Sequence, residues 1–409
     1  MSSPSLSWLA PTFAASAISL RFAALALFTA TAPLATLTTV LWATTVSQLV
    51  ARLIDAGLPS LLRIAGHRKS VRRAIASWRV WLAYTVFTGV GAFCAISLIR
   101  VAPWGNNINV PLWMAATYCI SVALNNIVLQ LQFSADRSLG LGLTMLVPPL
   151  LPLLVGGGVL IADKNGLAAP GHLFLVYVAG DLVLTVGSLM ALLRARFGHT
   201  RSLRLRLLWR SIRWRGVLRF LSGAWFAGLI KTLGQKSERL FAVDLLSAEA
   251  YVAVNYLLAT RDALANLSGL SLYRYFNSVL RGQGDVVGGR LQSWTWPMLG
   301  ISAIGASALW GTLVAALPLF PLRSFDFAAP LLAVMAAGII PFLHVNLLAS
   351  MSIATGGQRV NLACQITMVL SMSVCQVLAW SSDWIVFIGA GPFIAASIVG
   401  LLTPRWSRL

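Results

Sequence analysis

The sequence predicts an all-α membrane protein with about twelve transmembrane helices in two six-helix lobes. Three observations point there. The 409 residues are 58% hydrophobic and only 10% charged, with a mean hydropathy of +0.81, whereas soluble domains carry about a quarter charged residues. The chain breaks into apolar runs of membrane-crossing length. The basic residues between those runs then fall almost wholly on one side.

A helix crossing the hydrocarbon core needs about 20 mostly apolar residues. Twelve segments qualify: 12–32, 36–62, 80–100, 109–132, 139–161, 171–193, 217–245, 250–279, 292–318, 327–349, 361–380 and 384–403. The first run has neither a basic leader nor a small-residue cleavage site, so it reads as a retained helix. Turn chemistry marks the breaks, at Pro33, Pro103 to Asn107, Asp163 to Gly166, Pro318, Pro321 and Gly356-Gly357. Lipid-buried helices must end where free backbone groups meet water. The lobes are expected at residues 1–200 and 220–409, joined by a basic cytoplasmic linker at 201–219.

Lys and Arg set the orientation. With both termini in the cytoplasm, 21 basic residues lie in inner loops and three (Arg100, Lys164, Arg323) in outer ones. That asymmetry requires an even number of spans. It also accounts for most of the +20 net charge without nucleic acid as a partner. The charge maximum is the linker, where Arg206, Arg210 and Arg213 fall at helical spacing. It reads as a topology anchor, as a surface helix gripping anionic lipid headgroups, or as both. Cys94, Cys119, Cys364 and Cys375 lie in apolar segments without metal or redox spacing, and read as small core residues.

The halves show a faint internal match. Ala56-Gly57-Leu58-Pro59-Ser60-Leu61-Leu62-Arg63 ends the second segment, and Ser268-Gly269-Leu270-Ser271-Leu272-Tyr273-Arg274 lies at the equivalent place in the eighth. Internal duplication is a common plan among transporters.

Seven basic residues remain inside spans: Arg21, Arg52, Lys231, Lys236, Arg239, Arg261 and Arg274. Each costs about 2.5–3.5 kcal/mol at mid-bilayer on insertion scales, so such groups face a cavity or a partner. Thr44, Gln48 and Arg52 repeat every fourth residue with Asp55 one turn on, and Lys231, Gln235 and Arg239 repeat the pattern with Lys236 and Glu238 flanking. Tyr251, Asn255, Asp262 and Asn266 share a face beside Arg261. Tyr177, Asp181, Thr185 and Ser188 form another stripe, and Asn125, Asn126 and Gln130 add polarity to the fourth segment. These stripes are expected to line one central cleft.

Each group has a plainer alternative. Arg52 and Asp55 are three apart and would neutralise each other. Glu238 and Arg239 are adjacent, hence about 100° apart, and cannot close the same contact; Arg261 and Asp262 stand likewise. Asp181 either pairs with a cation of the seventh segment or takes up a proton. His344 reads as a satisfied bundle histidine, and Arg21 and Arg274 as side chains that snorkel to the inner surface.

Clustered cations in a low-dielectric cleft attract an anion, and phosphate is the usual partner of Arg and Lys. The chain shows no paired surface carboxylates, no His cluster and no phosphate-cradling glycine loop. Neither catalysis nor a metal or cofactor is expected.

Two stretches resemble the polysaccharide (O-antigen repeat-unit) flippases of the MATE-like exporter superfamily. Leu53-Ile54-Asp55-Ala56-Gly57-Leu58-Pro59-Ser60-Leu61 is similar to that family's second-helix ending. Phe220 to Arg281 is similar to its helices 7 and 8, with the acidic-Arg step at Ser237-Glu238-Arg239-Leu240 and the outer turn at Ala248-Glu249-Ala250, Val252, Asn255 and Tyr256. The family's Gly-Tyr after helix 1 is not matched.

The resemblance implies a two-lobed bundle in the bacterial inner membrane that moves an undecaprenyl-diphosphate-linked oligosaccharide between leaflets for polysaccharide biosynthesis. It implies Arg52, Lys231, Lys236, Arg239 and Arg261 as substrate contacts. Asp55, Asp181 and Asp262 would serve ion coupling or charge pairing. A polysaccharide polymerase and chain-length proteins would be partners. A small-molecule exporter of the same superfamily is the second reading, although exporters of cations should show an acidic pocket. A membrane glycosyltransferase or polymerase is third, and would need a large outer loop or a surface acidic pair.

Overall fold

The structure, a computed structural model, describes residues 6–55, 78–101, 110–135, 138–162, 166–197, 214–259, 261–262, 265, 331, 333–335, 337–354, 358–382 and 384–406. The expected span at 292–318, the basic stretch 201–213, and the matched runs beginning at Ala56 and Ser268 lie outside these residues.

The described residues are helical with no strand. The elements are α1 (Leu6–Thr31), α2 (Leu34–Ile54), α3 (Trp78–Val101), α4 (Leu112–Ala135), α5 (Ser138–Ala162), α6 (Pro170–Phe197), α7 (Trp214–Leu245), a helical stretch over 248–259 continued at 261, 262 and 265, α8 (Ile339–Ala354), α9 (Gln358–Ser382), a 3-10 turn (Ile385–Gly389) and α10 (Gly391–Trp406). Among the described residues, five helical segments are long and apolar enough to cross a membrane: Leu34–Ile54, Leu112–Leu129, Gly142–Ala162, Pro170–Ser188 and Arg359–Ser382.

Pro33 separates α1 from α2. It stands at φ −58° and ψ 132°, an extended conformation that ends one helix and begins the next, as its missing N–H and its ring require. Ala32 N–H closes α1 on the Phe28 carbonyl at 2.8 Å, and Leu37 N–H opens α2 on the Pro33 carbonyl at 3.0 Å. The second segment, expected to run to 62, leaves helical form after Ile54. Within the expected 327–349 run, residues 331, 333–335 and 337 are helical. Gly338 forms a turn whose N–H donates to the Val334 carbonyl and whose carbonyl accepts from Phe342 N–H, and α8 follows from Ile339. The expected 384–403 run opens as a 3-10 turn, and α10 follows only from Gly391.

The chain divides into two compact units, Met1–Leu229 and Ile230–Leu409. The divide falls within α7, and residues 214–219, read from the sequence as linker, are the first turns of that helix. In the first unit α1 packs along α5, α5 on α6, and α4 on α2, α3 and α6. In the second unit α8, α9 and α10 pack mutually.

Helix α5 carries Pro148, Pro149 and Pro152 in its interior. Such helices are tolerated in lipid when neighbours cover the freed backbone. Gly180 of α6 provides the cover. A Cβ there would strike the Pro148 backbone and the Val147 carbonyl, so only glycine permits so close a crossing.

Around a mostly apolar core, large apolar side chains lie exposed while several polar and charged ones are buried. Val86, Phe87, Val90 and Phe93 on α3, and Leu370, Val374 and Val377 on α9, lie exposed. Asp55, Asn125, Glu238, Arg239, Asn255, Arg261 and Gln376 are buried. An apolar outer surface, with charged groups withdrawn from it, is the arrangement a hydrocarbon solvent selects. Cys119, Cys364 and Cys375 are buried as expected, whereas Cys94 is exposed on α3.

Candidate functional site

Apart from Lys231, the predicted site residues fall into three clusters, each held within one unit. In the first unit, the polar stripe of α2 is answered locally. Thr44 Oγ1 donates to the Leu41 carbonyl at 2.9 Å. Gln48 Nε2 donates to Tyr118 Oη of α4 at 3.0 Å. Arg52 Nη1 pairs with Asp55 Oδ2, and Asp55 is fully buried at the end of α2. The charge pairing considered for Arg52 and Asp55 from the sequence is thus present.

Arg52 is also seated against α7. Its guanidinium occupies the space that a Cβ on Gly228 would need. One turn earlier, Trp225 Nε1 donates to the Leu53 carbonyl at 2.8 Å. That carbonyl belongs to the last turn of α2, where no intrahelical donor remains. A glycine and a tryptophan three residues apart thus cap and house the end of α2. Sequence reading missed both, because the signal is a gap and a ring edge rather than a charge.

The second cluster joins α4 and α6. Asn125 Nδ2 donates to the Asp181 carbonyl at 3.0 Å and to its Oδ1 at 3.2 Å. Thr185 Oγ1 donates to Asn125 Oδ1 at 3.1 Å and to the Asp181 carbonyl at 2.9 Å. Among the described residues of the first unit, Arg21 of α1 is a cation whose charge reaches Asp181. Asn125 and Asp181 therefore belong to a network internal to the first unit. Gln130 and Asn266, read with these stripes, are not among the described side chains.

The third cluster lies in the second unit and holds most of the predicted cations. Lys236 and Arg239 stand one helical turn apart on α7 and reach the same acceptor, Asp262 Oδ2, at 3.3 and 2.9 Å. Glu238 Oε2 lies 2.6 Å from Arg261 Nη1. Two adjacent residues on α7 therefore meet two adjacent residues on the following helical stretch. Each neighbour is rotated about 100° from the last, so the pairs form two rungs rather than one contact.

The network grades inward. Lys236 and Asp262 keep side-chain exposures of 14% and 15%, Arg239 8%, Arg261 4% and Glu238 none. Arg261 Cζ sits 4.2 Å from the ring centroid of Phe342 on α8, an attraction that strengthens when desolvated. Gln376 Nε2 of α9 donates to Ser237 Oγ at 3.0 Å, tying α9 to the same stretch of α7.

With both acids ionised, three cations face two carboxylates among the described residues, and one positive charge remains there. Arg239 Nε, Arg261 Nε, Arg261 Nη2 and Asp262 Oδ1 are buried without hydrogen-bond partners. Lys231, further up α7, is half-buried and has interactions of its own. His344 on α8 is half-buried.

No family model matches the chain, and no curated protein matches it in sequence. Solved structures do match over nearly its whole length. A MATE family multidrug resistance transporter of the MOP superfamily, in an outward-facing conformation, superposes with a TM-score of 0.65 at 12% identity, covering 98% of this chain and 94% of that one. The chain has the MATE fold. The MATE multidrug transporter DinF-BH, solved as a ligand complex, matches with a TM-score of 0.62 at 13% identity, covering 99% of this chain and 96% of that one. A MATE in complex with MaL6 matches at 0.56 and 14%, covering 98% and 93%. The helical, MATE-like fold class expected from the sequence is thus the one observed among the described residues. In this MATE fold the paired cations lie on the second half of α7 and the helical stretch that follows.

Proposed function

We propose that this protein is a membrane transporter that moves a polyprenyl-diphosphate-linked oligosaccharide across the bacterial inner membrane. The MATE fold supports a transporter. The net-positive network of Lys236, Glu238, Arg239, Arg261 and Asp262 supports an anionic cargo. That excess charge, together with unpartnered guanidinium N–H groups, is the single observation that carries the reading. A buried cation without a full complement of partners is costly, and the polyanionic diphosphate would supply what is missing. Arg52 and Lys231 are further candidate contacts.

The proposal places both termini in the cytoplasm, with anionic lipids around the basic linker and a polysaccharide polymerase and chain-length proteins as partners. Asp181, held by Asn125 and near Arg21, is the candidate for ion coupling in the first unit. Asp55 serves charge pairing with Arg52.

A small-molecule exporter is the second reading, favoured by the multidrug transporters among the structural matches. Its cargo would be acidic or neutral here, given the sign of the network. The two readings separate in cells. Replacing Arg52, Lys231 or Arg239 with Ala should abolish surface polysaccharide while the protein stays in the membrane. Normal polymer levels in all three variants, with a changed drug susceptibility, would favour the exporter.

A further inference from the structure

We infer that Asp262 is a built-in stand-in for the cargo's phosphate: it occupies the cationic site at rest and is displaced by a phosphate-bearing anion. The inference rests on the anionic-cargo reading above and adds how the site is held open and how it releases.

The geometry of Asp262 carries the argument. A carboxylate committed to an arginine makes two parallel N–H···O bonds, one for each oxygen. Asp262 does not. A single oxygen, Oδ2, receives both Lys236 Nζ at 3.3 Å and Arg239 Nη2 at 2.9 Å. Its other oxygen, Oδ1, is buried with no hydrogen-bond partner, and so is Arg239 Nε, the second tine of the guanidinium fork. Both partners of this contact have thus kept half their capacity unused.

Glu238 and Arg261 differ from it in exposure. They are almost wholly buried, 2.6 Å apart, with Phe342 over the guanidinium, whereas Lys236 and Asp262 keep 14% and 15% of their side-chain surface. Arg261 nevertheless retains unpartnered Nε and Nη2 groups beside Asp262 in the chain.

A phosphate presents more acceptor oxygens than a carboxylate. It would engage the fork of Arg239, Lys236 and the free N–H groups of Arg261 together, which one carboxylate cannot. Asp262 would then compete with the cargo for Lys236 and Arg239. It prevents like-charge repulsion in the empty site, and it returns to expel the phosphate afterwards. Such competition weakens binding and promotes turnover, in keeping with a site that must release what it holds.

The test uses the full chain purified in detergent and titrated with undecaprenyl diphosphate. Inorganic pyrophosphate and phosphatidylglycerol micelles serve as parallel probes, which separate a lipid-linked diphosphate from free phosphate and from bulk lipid. Asp262→Asn should bind the preferred anion about tenfold tighter than wild type, equivalent to about 1.4 kcal/mol, with slower release. Asp262→Glu should resemble wild type. Asp262→Ser replaces Asp262→Asn if the latter fails to accumulate. Wild-type binding that Asp262→Asn or Asp262→Ser leaves unchanged or weakens overturns the exchange but not the anionic-cargo reading. No binding of any of the three anions by wild type or variant overturns both. A gain confined to phosphatidylglycerol keeps the exchange and assigns the anion to bilayer lipid.

Discussion

Glu238 and Arg261 form an ion pair 2.6 Å apart, with the carboxylate fully buried and the guanidinium 4% exposed. Their isolation from solvent makes the pair a strong constraint on the second unit, though not in itself a source of stability. Two desolvated charges regain in mutual attraction roughly what they lose in hydration. Removing one is different, because the survivor stays buried and uncompensated. Glu238→Ala or Arg261→Ala should therefore each lower stability by about 3–5 kcal/mol. The double variant Glu238→Leu with Arg261→Met should recover most of that loss. Thermal unfolding of the detergent-purified protein measures all three, and additive losses in the double variant would contradict the pairing.

Gly228 and Arg52 lead to a second prediction. A methyl group on Gly228 would overlap the Arg52 guanidinium, which is the far end of a flexible side chain and would move rather than hold its ground. Gly228→Ala should therefore fold but lose the Arg52–Asp55 contact. Its effect on stability and on surface polysaccharide should match that of Arg52→Ala. Combining the two should add little, a coupling of about 0.5–3 kcal/mol. Independent effects in a double-mutant cycle would remove the link.

Gly180 behaves differently, because its neighbour is backbone. The Pro148 and Val147 main-chain atoms cannot swing aside, so α6 must retreat from α5. Gly180→Ala should cost about 1–3 kcal/mol, with larger side chains costing more. The falling unfolding temperature across Ala, Val and Leu would check it, and tolerance of Leu would refute the close crossing.

Asn125 is the polar link between α4 and α6. Asn125→Leu deprives the Asp181 carboxylate of an amide donor and Thr185 of an acceptor. The expected loss is about 1–3 kcal/mol, the cost of leaving a buried polar group unsatisfied. Asn125→Asp should be worse, since it sets two carboxylates together. A stability ranking with Asn125→Asp above Asn125→Leu would argue that the site tolerates a second negative charge.

The cysteines provide a check on the packing. Cys94 is exposed while Cys119, Cys364 and Cys375 are buried. In mild detergent a maleimide should modify Cys94 alone, and all four should react only after unfolding. Rapid labelling of Cys375 in the native protein would mean that α9 is placed wrongly.

By itself the sequence determined the solvent and the class of fold. Few charges, runs of span length and one-sided Lys and Arg leave a helical membrane bundle as the economical solution, because lipid offers no partner to unpaired backbone. It also marks the polar side chains that must turn inward: Arg239 and Arg261 by the cost of facing acyl chains, Asp262 and Asp181 by the polar stripes they share. What it did not contain was who meets whom. A period of about 3.6 residues gives the direction of a side chain around its own helix, but nothing about the rotation of a second helix. Asn125 and Asp181 are 56 residues apart, and Gln48 and Tyr118 are 70; their pairing depends on how α2, α4 and α6 are turned in the packed unit. The end of α2 at Ile54 and the seat of Arg52 on Gly228 were decided in the same way. They follow from close approach between helices, where the decisive feature is an absent side chain that no hydropathy pattern reveals.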